Sequence, residues 1–457
     1  MRRLLLFLAF LPGLARAEEL LHAGPMRAWT ELRSTAIWVQ TERAADVQIR
    51  YFPIAAPEAA RVTPVVTTAA GQQFVATFAL APLEPGTEYR YELYIDGRLY
   101  ARPYPLAFTT QPLWQWRVPA PDVTAMFGSC LYVNEEAYDR PGTPYGSDYG
   151  ILKAMAAKRP DLMLWLGDNL YTREVDFYSP TGLAARYWHD RALLWLQPFL
   201  AATSHYATWD DHDYGSNDSD ETYPLKAASL ELFSRYWPAP VYGTPETRGV
   251  FQKVTWGDAD FFLLDDRYHR KPNGWPAGQD KTMLGRAQLD WLKASLVASR
   301  AVFKVVVNGN QVLNANGRYE TMTDYADTGE LLAWIASNRI EGVLFLSGDR
   351  HHSELVRVQR PGGYPLYDFT SSSITAGVHV IKPDEPEYRN ALRVDGTLVM
   401  EHSFGVLRFT GDPGQRRVTL QACGVDGAVR WERTITRDEL SFPAAAPGQA
   451  GHRKPTE

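Results

Sequence analysis

The sequence is poor in the residues that staple small or metal-built scaffolds. Two cysteines in 457 residues exclude a disulfide framework and any cysteine-rich zinc module. With no CxxC pair and no HExxH motif, the chain also argues against tetrahedral structural zinc and thermolysin-type zinc. Histidine is scarce, at ten. Positive charge is not in excess: 47 Lys and Arg stand against 53 Asp and Glu, a formal net charge of −6. That balance argues against a nucleic-acid binder that works by neutralising phosphates. Beyond the first 17 residues no run of 18 apolar residues occurs, so no transmembrane segment is predicted. No internal repeat stands out.

What is present is enough for two domains or more. Apolar residues make up 45% of the chain, with 14 Trp, 24 Tyr and 19 Phe. Residues 1–17 place two arginines before an apolar run that ends in Ala15-Arg16-Ala17. This pattern predicts a secretory signal peptide, hence a periplasmic or secreted protein. Residues 18–112 carry short alternating runs (TAIWVQT, DVQIRYF, QFVATFAL, YRYELYIDG) between turn residues. They predict an N-terminal β-sandwich of fibronectin-III or immunoglobulin-like type.

From about 120 to 436 the pattern changes. Short apolar runs alternate with helical stretches at 147–158, 183–200, 223–236, 284–299 and 327–338. That alternation predicts βα units around a buried sheet, an α/β domain. Segments 139–148 and 270–283 read as surface loops, and 437–457 as a C-terminal tail.

The informative residues are those at the C-terminal end of each strand run. VTAMFG leads into Ser129-Cys130, LMLWLG into Asp168 and Tyr171, and HYATW into Asp210-Asp211-His212-Asp213 and Asn217. FFLL leads into Asp265-Asp266-Arg267, KVVVN into Asn310, and VLFLSG into Asp349-Arg350-His351. Open α/β sheets bind ligands beyond the carboxyl ends of their strands. Carboxylates packed this densely repel one another unless cations sit among them. The oxygen-rich donor set favours hard ions such as Fe³⁺, Ca²⁺, Mn²⁺ or Mg²⁺. Paired ions bridged by a carboxylate are suited to in-line attack at phosphorus.

These motifs resemble those of the alkaline phosphatase D (PhoD-type) family. The resemblance rests on Phe127-Gly128-Ser129-Cys130, Gly167-Asp168-Asn169-Leu170-Tyr171, Asp210-Asp211-His212-Asp213 with Asn217, Leu264-Asp265-Asp266-Arg267-Tyr268 and Ser347-Gly348-Asp349-Arg350-His351. It implies an αββα calcineurin-like metallophosphatase domain related to purple acid phosphatases. It further implies that Cys130, Asp168, Tyr171 and His351 hold a ferric ion. Asp168 would bridge to a second ion, calcium, held with Asp211, Asn217 and Asp349. Manganese or magnesium are the alternatives.

The implied activity is hydrolysis of phosphomonoesters or phosphodiesters by metal-bound hydroxide. His212 is expected to protonate the leaving alkoxide and Arg267 to clamp phosphate. Asn310 stands between a metal-ligand and a structural role. A phospholipase D-like phosphodiesterase and a non-catalytic metal-binding or adhesion protein are the alternative functions. A Cys130–Cys423 disulfide is the alternative fate of the expected thiolate. Where the family pattern has Glu after the histidine, this chain has Asp213.

Overall fold

The computed structural model of the chain describes residues 20–315 and 321–443. The expected signal peptide lies outside the described residues. Strands Leu21–Thr30, Thr35–Thr41 and Val75–Leu80 form one antiparallel sheet. Asp46–Pro53 and Glu88–Ile95 pair antiparallel in a second. Ile37, Val39 and Phe78 of the first meet Val47, Ile49 and Leu93 of the second in one apolar core.

Thr35–Thr41 is buried along its whole length, because its second face is not left to water. Trp38, on that face, donates its indole N–H to the Arg235 carbonyl at 2.9 Å. The Arg191 guanidinium lies 5.3 Å from its ring. Gln40, two residues on, donates to the Tyr236 hydroxyl at 2.7 Å. The N-terminal sheets therefore dock onto the helices of the second unit.

That unit is a mixed α/β fold with two six-stranded sheets. The first runs in the order Ser204–Thr208, Leu162–Leu166, Val123–Gly128, Ser403–Thr410, Arg417–Gly424, Val429–Thr436. The second runs Gln252–Trp256, Ala259–Leu263, Phe303–Val307, Val343–Ser347, Leu366–Thr370, Glu354–Val358. In the first sheet Ser204–Thr208, Leu162–Leu166 and Val123–Gly128 pair in parallel and the remaining strands antiparallel; in the second the central strands pair in parallel with an antiparallel strand at each edge. Aromatic side chains join the two sheets: Phe127 sits edge-on to Phe369 at 4.8 Å, and Phe303 lies 5.4 Å from Phe409. Helix Gly285–Ala298 buries Leu289, Leu292 and Leu296, which recur at helical spacing.

Three expectations are revised. The stretch 183–200 is not one helix but two, Pro180–Arg191 and Gln197–Ala202. Pro198 has no N–H to continue an earlier helix, so it sits in the first turn of a new one. The upstream helix starts early because Ser179 caps it, accepting from the Gly182 N–H at 3.0 Å. Asp438–Leu440, expected within the tail, form a 3-10 turn, and Leu440 and the following Phe442 are buried. Finally, Cys130 and Cys423 are both free and buried, so the disulfide alternative falls away.

Candidate metal centre

The backbone at the strand ends is unusual. Cys130, Asp168, Asp349 and His351 have φ of 63°, 51°, 67° and 56°. For non-glycine residues the left-handed region costs about 1–2 kcal/mol each, and such strain collects at functional sites. It is held by specific contacts. The Leu131 N–H donates to the Asp168 carbonyl at 2.8 Å, and the His351 N–H to Ser372 Oγ at 2.9 Å. Two glycines let the turns close. A Cβ on Gly167 (φ 94°) would lie 2.5 Å from Asp210 Cβ, and one on Gly348 would lie 2.6 Å from Ser129 Oγ.

These turns bring five expected ligands, Asp168, Asp211, Asn217, Asp349 and His351, to the wall of one cleft of about 820 Å³, and the other two, Cys130 and Tyr171, are buried beside them. Two groups of donor atoms are close enough to share an ion. Cys130, Asp168 and His351 form one; Asp168, Asp211 and His212 form the other; within each, all atoms lie within 4.8 Å. Asp168 belongs to both. The Cys130 thiol lies 3.6 Å from Asp168 Oδ2 and receives the Ser372 hydroxyl at 3.1 Å. The Tyr171 hydroxyl lies 3.2 Å from His351 Nε2. Asp211 accepts the N–H groups of His212 at 2.9 Å and Asp218 at 2.7 Å, which fixes its carboxylate. Asn217 and Asp349 stand in the cleft wall.

The electrostatics ask for cations. Burial, then Asp211 and Cys130, pushes the Asp168 carboxyl well above its usual range. Burial pushes the Cys130 thiol up to about 11 and raises the Tyr171 phenol well above its ordinary value. A thiol, a phenol and a crowded carboxylate all become better ligands when a positive ion replaces their protons. The donor set therefore fits two hard or borderline ions sharing Asp168.

The His212 ring lies tilted 4.3 Å from the Tyr171 ring, and its Nδ1 has no hydrogen-bond partner among the described residues. Burial holds its pKa down to about 4. The ring is thus neutral at physiological pH, with one N–H to offer rather than a transferable imidazolium proton. Asp213, the departure from the family's Glu, accepts the N–H groups of Asn169 and Asp210 at 3.0 and 3.1 Å. It shapes the turn and does not line the cleft.

Arg267 and Asn310 are placed elsewhere. The cleft wall includes neither. Arg267 Nε donates to Asp210 Oδ1 at 2.6 Å, and the guanidinium is buried. Asn310 Nδ2 donates to Asp210 Oδ2 at 3.1 Å, and its Oδ1 receives Arg270 at 2.5 Å. The residue expected to clamp phosphate is therefore held in a buried ion pair with Asp210. Among the described residues, the positively charged ones lining the cleft are Lys281 and Arg350. Arg350 had a signal, lying between two expected ligands. Lys281 had none, being a loop residue without a motif. His379, which falls in no sequence motif, lines the cleft and groups with Glu385 and Glu387.

A family profile described as PhoD-like phosphatase matches residues 138–420. The chain belongs to the PhoD-like phosphatase family. It is accordingly a metal-dependent phosphoric ester hydrolase. The matched span includes every expected ligand except Cys130. Residues 18–112 match a domain of unknown function, DUF7800.

A solved structure of PhoD is similar over 92% of this chain and 91% of its own, with a TM-score of 0.72 and 17% identity. A purple acid phosphatase, PPD1 from yellow lupin (Lupinus luteus) seeds, is similar over 93% of this chain and 77% of its own. Its TM-score is 0.64 and its identity 12%. At these identities the likeness shows the fold. No curated protein matches the sequence.

Proposed function

We propose that the chain is an exported phosphoesterase acting on phosphomonoesters and phosphodiesters, with iron(III) and calcium as its ions. The observation that carries this reading is Asp168, shared by two donor groups at the floor of an open cleft. Cys130, Asp168, Tyr171 and His351 would hold iron, suited to thiolate and phenolate donors. Asp168, Asp211, Asn217 and Asp349 would hold calcium, an all-oxygen set. When bound, the ions supply Lewis-acid neutralisation of developing charge and activation of water.

The chain's own groups do the rest. Arg350 and Lys281 draw an anionic ester into a cleft otherwise rich in carboxylates. The Ser372 hydroxyl steadies the Cys130 sulfur, and the Gly377 carbonyl orients the His351 ring through Nδ1. His212 offers its N–H at the side where the alcohol departs. Export rests on the signal-peptide pattern of residues 1–17.

The test is elemental analysis of natively expressed protein together with rates on an aryl monoester, a bis-aryl diester and phosphatidylcholine. Iron and calcium near one equivalent or more, with release of phosphate or alcohol from the first two, is the expected result. Protein free of both metals, or Asp168→Asn enzyme at full activity, overturns it. Faster turnover of the phospholipid would favour the phospholipase D-like alternative.

A further inference from the structure

Beside the cleft lies a second cavity of about 410 Å³. The two share three walls: Tyr145, His212 and Asn217. His212 is the residue assigned to the departing alcohol, so the side cavity opens where that alcohol would go.

Its lining is aromatic and locally charge-balanced. Tyr145 stands edge-on to Tyr132 at 5.1 Å and to Tyr171 at 6.1 Å. Arg173 is buried, with its guanidinium 4.5, 5.7 and 5.5 Å from the Tyr132, Tyr145 and Tyr171 rings. Its Nε donates to the Tyr132 hydroxyl at 3.0 Å. The three rings are thereby clamped as one unit. Arg140 at the rim is paired with Glu174 at 2.8 Å, so that guanidinium is not held out for a second phosphate. Tyr145 remains 43% exposed, a rigid ring with a free surface between the two cavities.

We propose that this side cavity is the leaving-group subsite and that Tyr145 selects esters of alcohols bearing an aromatic ring. The assignment rests on the phosphoester reading of the cleft. A ring leaving the cleft past His212 would pack against Tyr145 and lose its water on both faces. Aromatic packing of this kind is worth about tenfold in selectivity. Tyr145 is here a specificity-determining residue, and its hydroxyl, 3.3 Å from His351 Nδ1, is not the part that selects.

The experiment compares kcat/KM of the metal-replete full chain on 2-phenylethyl and n-butyl esters, as phosphates and as methyl diesters. The two alcohols have similar acidity, so the ratio reports the subsite and not the leaving-group chemistry. The expected ratio is about ten in favour of phenylethyl. It should fall toward one in Tyr145→Ala and persist in Tyr145→Phe, with metal content measured for each variant. A ratio near one in the wild type, or a ratio unchanged in Tyr145→Ala, overturns the proposal. If the wild type hydrolyses neither pair, the phosphoester reading fails. The subsite is then judged by calorimetric binding of phenylethylphosphonate against butylphosphonate, where equal affinity refutes it.

Discussion

The cleft and the buried network behind it are built from the same residue types at the same kind of place, the carboxyl ends of strands. They differ in how charge is balanced. In the network, Asp265 accepts the Trp209 indole at 2.7 Å and the Val250 N–H at 2.9 Å, and Asp266 accepts the Asn310 N–H at 3.0 Å. Arg267 and Arg270 sit among these carboxylates and Asn310, and all are buried. In the cleft, Asp168, Asp211 and Asp349 crowd with Cys130 and Tyr171. There Arg350 is already tied to Glu387 at 2.6 Å. A carboxylate cluster supplied with guanidiniums is a structural brace. The same cluster left short of them is a place for metal ions.

The most forceful way to break this contrast is Asp168→Asn. Ions supply several kcal/mol of transition-state stabilisation, so phosphoesterase activity should fall at least about 10³-fold, with loss of both metals. The metal-free variant should melt no lower than metal-free wild type, since a crowded buried carboxylate has been removed. Activity assays, elemental analysis and calorimetry on one preparation check this. A large drop in metal-free melting temperature would mean that the cleft braces the fold as well.

The complementary variant is Arg267→Ala. It leaves Asp210 with an uncompensated buried charge, which costs about 3–5 kcal/mol, read as a shift in the denaturant midpoint. The folded fraction should keep its metals. An unchanged midpoint with a raised KM would return Arg267 to the role of phosphate clamp.

Acid lability separates loss of fold from loss of ligands. His205, on the strand that delivers Asp210 and Asp211, accepts the Trp165 indole N–H at Nδ1 (3.0 Å) and faces the Phe199 carbonyl with Nε2 (3.2 Å). Burial lowers its pKa to about 3, below its unfolded value. The folded state therefore binds fewer protons than the unfolded one. His205's contribution is whole above about pH 6.5 and is lost as pH falls toward 3, at up to about 1.4 kcal/mol per pH unit. Denaturation of metal-free protein at pH 7, 5 and 4 should show this slope, and His205→Phe should flatten it. An equal slope in both proteins would assign acid loss to other groups.

The smallest expected effect is that of Cys130→Ser. Exchanging the sulfur donor should weaken iron by at least about 10-fold, the least that loss of even a group supporting a ligand costs, with calcium nearly unchanged. Competition with a chelator measures both. Parallel loss of the two metals would show that the two donor groups do not bind separate ions.

Much of the site was legible because its chemistry is local in sequence. Asp168 and Tyr171 are separated by a short turn, and Asp349 and His351 by one residue. Their polarity at the end of an apolar run has no other easy use. Six polar strand ends were visible, but their division was not. Asp210 and Asp211 are neighbours in sequence, yet one faces Arg267 and the other the cleft. The turn at Asp210–Tyr214 sends adjacent side chains in different directions, and no pattern of residue types encodes that. Lys281 was missed for the same reason, since a loop's approach to a distant cleft leaves no periodicity. Thr35–Thr41 shows the converse in the fold. Its apolar content suited a strand, but burial of both faces depended on docking against Tyr236 and Arg235.

The sequence by itself determined the βα alternation, the oxygen-rich donor set and the order of motifs along the chain, because hydrophobic period and residue chemistry are local properties. Only the tertiary structure decided which carboxylates meet guanidiniums, which meet one another, and that both cysteines stay free. Those outcomes depend on distances between strands far apart in the chain, and charge balance is settled by what stands within a few ångströms.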